Sequence, residues 1–162
     1  NFEEWPSFTK LILVGLMFVG GCAGSTGGGM KVIRIQLILK NVFNGIEKVF
    51  HPHLVRTLKI GGLPVEDDIR NSIVVFFCSF LIILFFCSLA IAAMGVDILT
   101  AITSVVTTMN NVGPGLGRVG PMKNFALFPS EGKVLLSLCM CLGRLELFAV
   151  LVLFLPSFWR GR

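Results

Sequence analysis

Met109-Asn110-Asn111-Val112-Gly113-Pro114-Gly115-Leu116-Gly117 is the run on which the architecture turns. It follows residues 97–109, in which Ile98, Ala101, Ile102, Val105, Val106 and Met109 recur at i, i+3, i+4, i+7, i+8 and i+11, one apolar helical face. Thirteen residues of helix rise roughly 20 Å, too little for a hydrocarbon layer of ~30 Å, so the segment must re-enter or lie inside protein. Thr100, Thr103, Thr107 and Thr108 occupy its other side and can bond neighbouring backbone. A half-crossing helix that ends in glycine-rich extended chain can present bare carbonyl oxygens to a dehydrated cation. Glycine suits that task because turning successive carbonyls to one side requires positive φ at alternate positions. The plainer alternative is a Gly/Pro turn that joins two helices.

Working outward, residues 71–96 contain no charged side chain over 26 positions. As a helix they reach roughly 39 Å, enough to span a bilayer with tilt. The whole chain is 54% hydrophobic and 14% charged, with 15 Phe and no Tyr. A soluble domain carries about 25% charged residues, so the composition is that of a lipid-embedded protein. A last apolar segment covers residues 133–158 and ends at Trp159-Arg160, an interfacial anchor. Between the short helix and this segment, residues 113–132 hold three prolines and five glycines, the composition of a structured return loop. The order is helix at 71–95, pore helix at 97–109, filter at 110–117, helix at 133–158: one membrane–pore–membrane unit.

Upstream, residues 6–49 read as one membrane piece broken in the middle. Residues 11–19 are apolar, residues 20–29 contain six glycines (Gly20, Gly21, Gly24, Gly27, Gly28, Gly29), and a helical pattern resumes from Met30. Broken helix at membrane depth is tolerated only where it is buried in protein or lines water, which suggests a mobile intramembrane loop acting as a gate. Gly20 and Gly24 also fit the small-residue spacing of close helix packing. A phosphate loop is rejected, because Met30-Lys31 stands where Lys-Ser/Thr is required and no strand precedes it.

Half of the fourteen basic residues (Lys31, Arg34, Lys40, Lys48, Arg56, Lys59, Arg70) fall between positions 31 and 70. Between hydrophobic spans the positive-inside rule explains them better than nucleic acid does. It puts the linker at 51–70 and the C-terminus, with Arg160 and Arg162, in the cytoplasm. His51 and His53 flank Pro52 there as a solvated pair. Arg144 lies within the last apolar segment, where a charge must find a partner inside the bundle; a structural tie between helices is the plainer reading. Cys22, Cys78, Cys87, Cys139 and Cys141 lack Cys-x-x-Cys spacing and read as free thiols. No nucleophile–base pair, no paired carboxylates and no cofactor motif are evident, so an enzyme is not expected. The opening Asn1-Phe2-Glu3-Glu4-Trp5-Pro6 has neither an initiator Met nor a basic n-region and reads as the middle of a longer protein.

Three stretches carry a family resemblance. Gly20-Gly21-Cys22-Ala23-Gly24-Ser25-Thr26-Gly27-Gly28-Gly29-Met30-Lys31-Val32-Ile33-Arg34, Asn110-Asn111-Val112-Gly113-Pro114-Gly115-Leu116-Gly117 and Gly143-Arg144-Leu145-Glu146 resemble, in order, segments of the Trk/Ktr family of potassium uptake proteins. The resemblance implies an all-α membrane protein of four membrane–pore–membrane repeats around one pore. Residues 1–50 would be the second helix of the third repeat, and residues 71–162 the fourth repeat. It further implies potassium, the transported ion, bound by the carbonyls of Asn111, Val112 and Gly113; a gate made of residues 20–29; and no cofactor. Arg144 is expected to hydrogen-bond carbonyls of residues 20–29 and to bias that gate closed, partly by repelling cations. The implied partners are the remaining repeats, a second copy of the pore subunit and a cytosolic nucleotide-binding regulatory subunit, in a bacterial inner membrane. The competing class is a non-conducting membrane scaffold that uses glycine-mediated helix packing.

Overall fold

The computed structural model describes residues 1–22, 24–25, 27–51, 59–60 and 63–145. Pro52, His53, Arg56, Glu146, Trp159, Arg160, Arg162 and residues 146–158 of the expected last helix lie outside the described residues. Among the described residues, five helices carry the fold: α1 (Ser7–Met17), α2 (Val32–Phe50), α3 (Asp67–Ala93), α4 (Ile98–Met109) and α5 (Ser130–Arg144). A two-stranded antiparallel ribbon, β1 (Lys59–Ile60) with β2 (Leu63–Pro64), falls in the linker between α2 and α3.

α3 is the one described helix long and apolar enough to cross a membrane. Its 27 residues rise roughly 40 Å. It starts at Asp67, four residues before the expected Asn71, because Asp67 and Asp68 lie inside the first turn rather than ahead of it. There they complement the positive end of the helix dipole, and Asp67 pairs with Arg70 at 2.9 Å. Few α3 side chains are buried within the chain: Phe76, Phe80, Ser88 and Ile91. Phe85, Phe86, Leu89 and Ile82 are exposed, an outward face suited to lipid tails.

α4 is the centre of the molecule. It packs between α3 and α5, and every residue from Thr103 to Asn110 is buried. Of the expected apolar face, Ala101, Val105, Val106 and Met109 enter the core, whereas Ile98 and Ile102 are exposed. Burying the threonine side as well is feasible because the hydroxyls are internally satisfied. Ser104 donates to the Ala101 carbonyl, Thr107 to Ser104, and Thr108 to Ser104 at 2.8 Å. The core around α4 gathers Phe76, Phe80 and Ile91 of α3, Leu136 and Cys139 of α5, and Val119 and Phe128 of the return loop. Where the surroundings are lipid, such contacts stabilise through close dispersion packing rather than by removal of water.

α5 begins at Ser130, behind an extended Pro129, three residues earlier than the sequence suggested. Proline's fixed φ favours its place at the head of a helix over its interior. The return loop contains two single 3₁₀ turns, Gly117–Val119 and Phe125–Leu127. All five cysteines are free thiols.

Candidate functional site

The filter run leaves α4 through a tightening of the backbone. Asn110 N–H donates to Val106 O at 3.0 Å, Asn111 N–H to Thr108 O at 3.1 Å and Val112 N–H to Thr107 O at 2.9 Å. These bonds use the Val106, Thr107 and Thr108 carbonyls at the end of the helix and aim the chain back along α4. Asn111 has φ 53° and Gly113 φ 106°, with Val112 in ordinary space between them. That alternation is what turning successive carbonyls toward one side demands. Asn is among the few non-glycine residues that enter the left-handed region readily. Among the described residues, no hydrogen bond is accepted by the carbonyls of Asn111, Val112 or Gly113. Val112 and Gly113 are exposed and Asn111 is half-buried, so bare oxygens stand at the end of a half-length helix whose dipole is negative there.

Two threonines hold the outward leg of this run against α4. The Thr103 hydroxyl accepts from Leu116 N–H at 3.2 Å and donates to Leu99 O at 2.7 Å. The Thr100 hydroxyl accepts from Arg118 N–H at 3.0 Å. Gly115 N–H closes a small loop onto Val119 O at 2.8 Å. Lys123 Nζ donates to Gly117 O at 2.8 Å and lies 3.4 Å from Glu3 Oε1. Glu3 Oε1 has no hydrogen-bond partner within the described residues, so this contact is a long ion pair rather than a hydrogen bond. At the outer end of α4, Asp97 caps the helix by accepting from Thr100 N–H at 3.0 Å. That bond, first, and the Thr100 hydroxyl with it, hold the Asp97 carboxyl below its ordinary range.

The glycine run at 20–29 is an organised loop, closed at its base. Gly20 N–H donates to Met30 O, Met30 N–H to Phe18 O, and Val32 N–H to Gly21 O at 3.1 Å. Val19 and Met30 form an isolated parallel bridge. Further in, Ser25 N–H reaches Cys22 O and Gly27 N–H reaches the Ser25 hydroxyl. The end of the run seats directly under the filter. A Cβ on Gly28 would stand 2.5 Å from Asn111 Nδ2 and 3.0 Å from Asn110 O; one on Gly29, at φ 81°, would stand 2.6 Å from Asn110 Oδ1. The loop thus meets the base of the filter through glycines that leave no room for a side chain.

The expected filter residues Asn111, Val112 and Gly113 and the gate residues Gly28 and Gly29 therefore come together. Gly20 and Gly21 sit at the loop's closed base. Gly24 has φ 90° and open space around it, and Gly27 nears the loop's own Ser25 and Gly21. Arg144 is the last residue of α5 and exposed; among the described residues no hydrogen bond or ion pair joins it to the glycine run. Its neighbour Gly143 does reach the site, since a Cβ there would overlap Met109 O and stand 3.1 Å from Asn111 Nδ2.

Sequence reading missed Asn110, Gly143, Lys123 and the separate duties of Thr100 and Thr103 as staples. The threonine spacing was a usable signal. Asn110 and Gly143 stand inside stretches that carry the family resemblance, but their contacts join positions far apart in sequence and no spacing signals them.

The chain matches known proteins along nearly its entire length. It is 44% identical over 160 residues to the Trk system potassium uptake protein TrkH of Halomonas elongata and, equally, to that of Escherichia coli; each match covers 99% of this chain and 33% of the relative. The crystal structure of the potassium transporter TrkH from Vibrio parahaemolyticus is 40% identical and superposes with a TM-score of 0.88 over 98% of this chain and 33% of that one. The chain thus spans about a third of the length of the relatives it matches, and it has the all-α membrane fold of that structure. It is a bacterial membrane protein with at least one spanning helix. The family described as TrkH, cation transport protein, matches residues 1–160, and the chain belongs to it.

Proposed function

We propose that this chain forms part of the ion-conducting subunit of a potassium uptake system, supplying one of four filter strands and the intramembrane gate. The observation that carries the reading is the set of unbonded carbonyls at Asn111, Val112 and Gly113, with left-handed backbone at 111 and 113, directly after a half-length helix. Such oxygens replace the hydration shell of a monovalent cation, with the helix's C-terminal dipole adding negative potential. One strand cannot encircle an ion, so conduction belongs to the assembled four-repeat protein. The names of the relatives specify potassium as the ion they take up.

Residues 20–29 serve as the gate in this reading, supported by the seat of Gly28 and Gly29 against Asn110 and Asn111. Arg144 completes it by repelling cations at the pore's inner side. The protein lies as a multi-pass chain in the inner membrane, with the 51–70 linker and the C-terminus in the cytoplasm. A second pore subunit and a cytosolic nucleotide-binding regulator are its partners, and the basic stretch at 31–70 is the contact surface.

The test is potassium flux in vesicles that contain the full-length protein, comparing wild type with Gly113→Ala. Alanine is strained at φ 106°, so flux is expected to fall at least tenfold, which is about 1.4 kcal/mol in a barrier. A wild-type protein that is folded and inserted yet moves no potassium leaves the scaffold reading standing.

A further inference from the structure

Asn110 and Asn111 contribute two carboxamides to the junction where the glycine loop, α4 and α5 meet. Asn111 Nδ2 donates to Met140 O at 3.4 Å, and its other sides are closed by Gly28 and Gly143. Both glycines stand so near that a methyl group on either would strike the amide or the helix end beside it. Asn110 Nδ2 donates to Val106 O at 2.8 Å, while its Oδ1 is buried with no partner among the described residues and faces Gly29. Asn110 as a whole is 6% exposed.

We propose that these side chains couple the loop to the filter: Asn110 and Asn111 are positioning residues that transmit the place of Gly28 and Gly29 to the first filter carbonyl. The inference rests on the filter-and-gate reading above. Its physical basis is the left-handed φ of 53° at Asn111. Asn reaches that conformation at little cost but reaches the right-handed and extended regions as well, so what selects it here is the enclosure of the side chain by Gly28, Gly143 and Met140 O. When the loop withdraws, the floor under the Asn111 amide goes with it, and the Asn111 carbonyl loses its set direction. In the other direction, the Asn110 oxygen is an unused acceptor beside the loop, ready for an amide that a shift of residues 28–29 brings within reach. Opening and ion selection are then two readouts of one junction.

The experiment uses the full-length protein in vesicles, with rubidium uptake and its competition by potassium and by sodium measured for Gly28→Ala, Asn111→Ala, the double variant and Gly27→Ala. A Cβ at Gly27 meets Ser25 Oγ at 3.3 Å and Gly21 N at 3.9 Å, both within the loop itself. Gly28→Ala is expected to change uptake and to lower the potassium-over-sodium preference about fivefold or more, whereas Gly27→Ala leaves the preference intact. In the Asn111→Ala background the Cβ of Gly28→Ala loses its tightest contact, Asn111 Nδ2, and keeps only the Asn110 peptide at 3.0 Å, so Gly28→Ala should add far less there than it does alone. Effects on preference that multiply in the double variant overturn the coupling, as does a Gly28→Ala protein with altered uptake and unaltered preference. If Gly28→Ala fails to insert, Asn111→Ala alone decides: it must move uptake and preference together, and a change in preference only, or in neither, overturns the coupling. Absence of uptake in the wild type counts against the conduction reading instead.

Discussion

Thr103 shows how much one hydroxyl can carry. It ties the filter's outward leg to the helix that precedes it, accepting from Leu116 N–H while donating within its own helix. Thr103→Val keeps the shape and removes the acceptor, which leaves a buried amide unpaired. The expected cost is about 1–3 kcal/mol, read as a lower melting temperature of the full-length protein together with a weaker preference for potassium over sodium. A valine variant as stable and as selective as wild type would show the staple to be dispensable. Arg144 is the opposite case, since its proposed part in the gate rests on charge rather than on an observed contact. It ends α5 one residue after Gly143, which bears on the end of the pore helix. Arg144→Ala in the full-length protein is expected to raise ion flux, because the cationic barrier is gone, and Arg144→Lys should keep flux low. Equal flux from wild type and Arg144→Ala at matched expression would reduce Arg144 to a structural tie.

Among the elements, α4 was the most legible from sequence and α3 the most legible in kind but not in bounds. The short apolar period before a glycine run located α4 to within one residue. The uncharged run from residue 71 marks only the part of α3 that suits lipid; the helix itself starts at Asp67, because acids stabilise a first turn from inside it. The glycine run announced a broken helix, yet its closed base and its seat under Asn110 were not legible. Both depend on contacts that no periodicity encodes. The N-cap of α4 yields a pH prediction. The Asp97 carboxyl is held below its ordinary range by Thr100 N–H, so its stabilising effect is fully present above the unfolded carboxylate pKa of about 4. As pH falls through the lowered folded value, that contribution is lost. Asp97→Asn keeps an acceptor for Thr100 N–H but cannot titrate, so its melting temperature should fall less than that of wild type on acidification. Asp97→Ala should cost about 1 kcal/mol at neutral pH. Parallel acid profiles for wild type and Asp97→Asn would remove Asp97 from the account.

For the molecule as a whole, what ties the segment before α1 to the return loop after α4 is a polar clasp. Glu3 precedes α1, and Lys123 lies in the return loop after the filter; they face each other at 3.4 Å while Lys123 also holds Gly117 O. The Glu3 carboxylate lies against Gly120 so closely that a Cβ there would overlap it. Lys123 is half-exposed, so the ion pair alone is worth about 0.2–1 kcal/mol and weakens with salt. The bond to the filter leg does not share that weakness, since it pairs an ammonium with a carbonyl rather than with an exposed charge. Lys123→Met therefore loses two contacts and Glu3→Gln only one, and the lysine variant should lose more stability and show the larger drop in potassium flux. Gly120→Ala should resemble Glu3→Gln, because the new methyl displaces the carboxylate and leaves the lysine on Gly117 O. Melting curves and flux at low and high salt separate these outcomes. If Lys123→Met and Glu3→Gln lose equal amounts, and both losses vanish at high salt, the clasp is a screened surface pair and the filter leg is held by Thr100 and Thr103 alone.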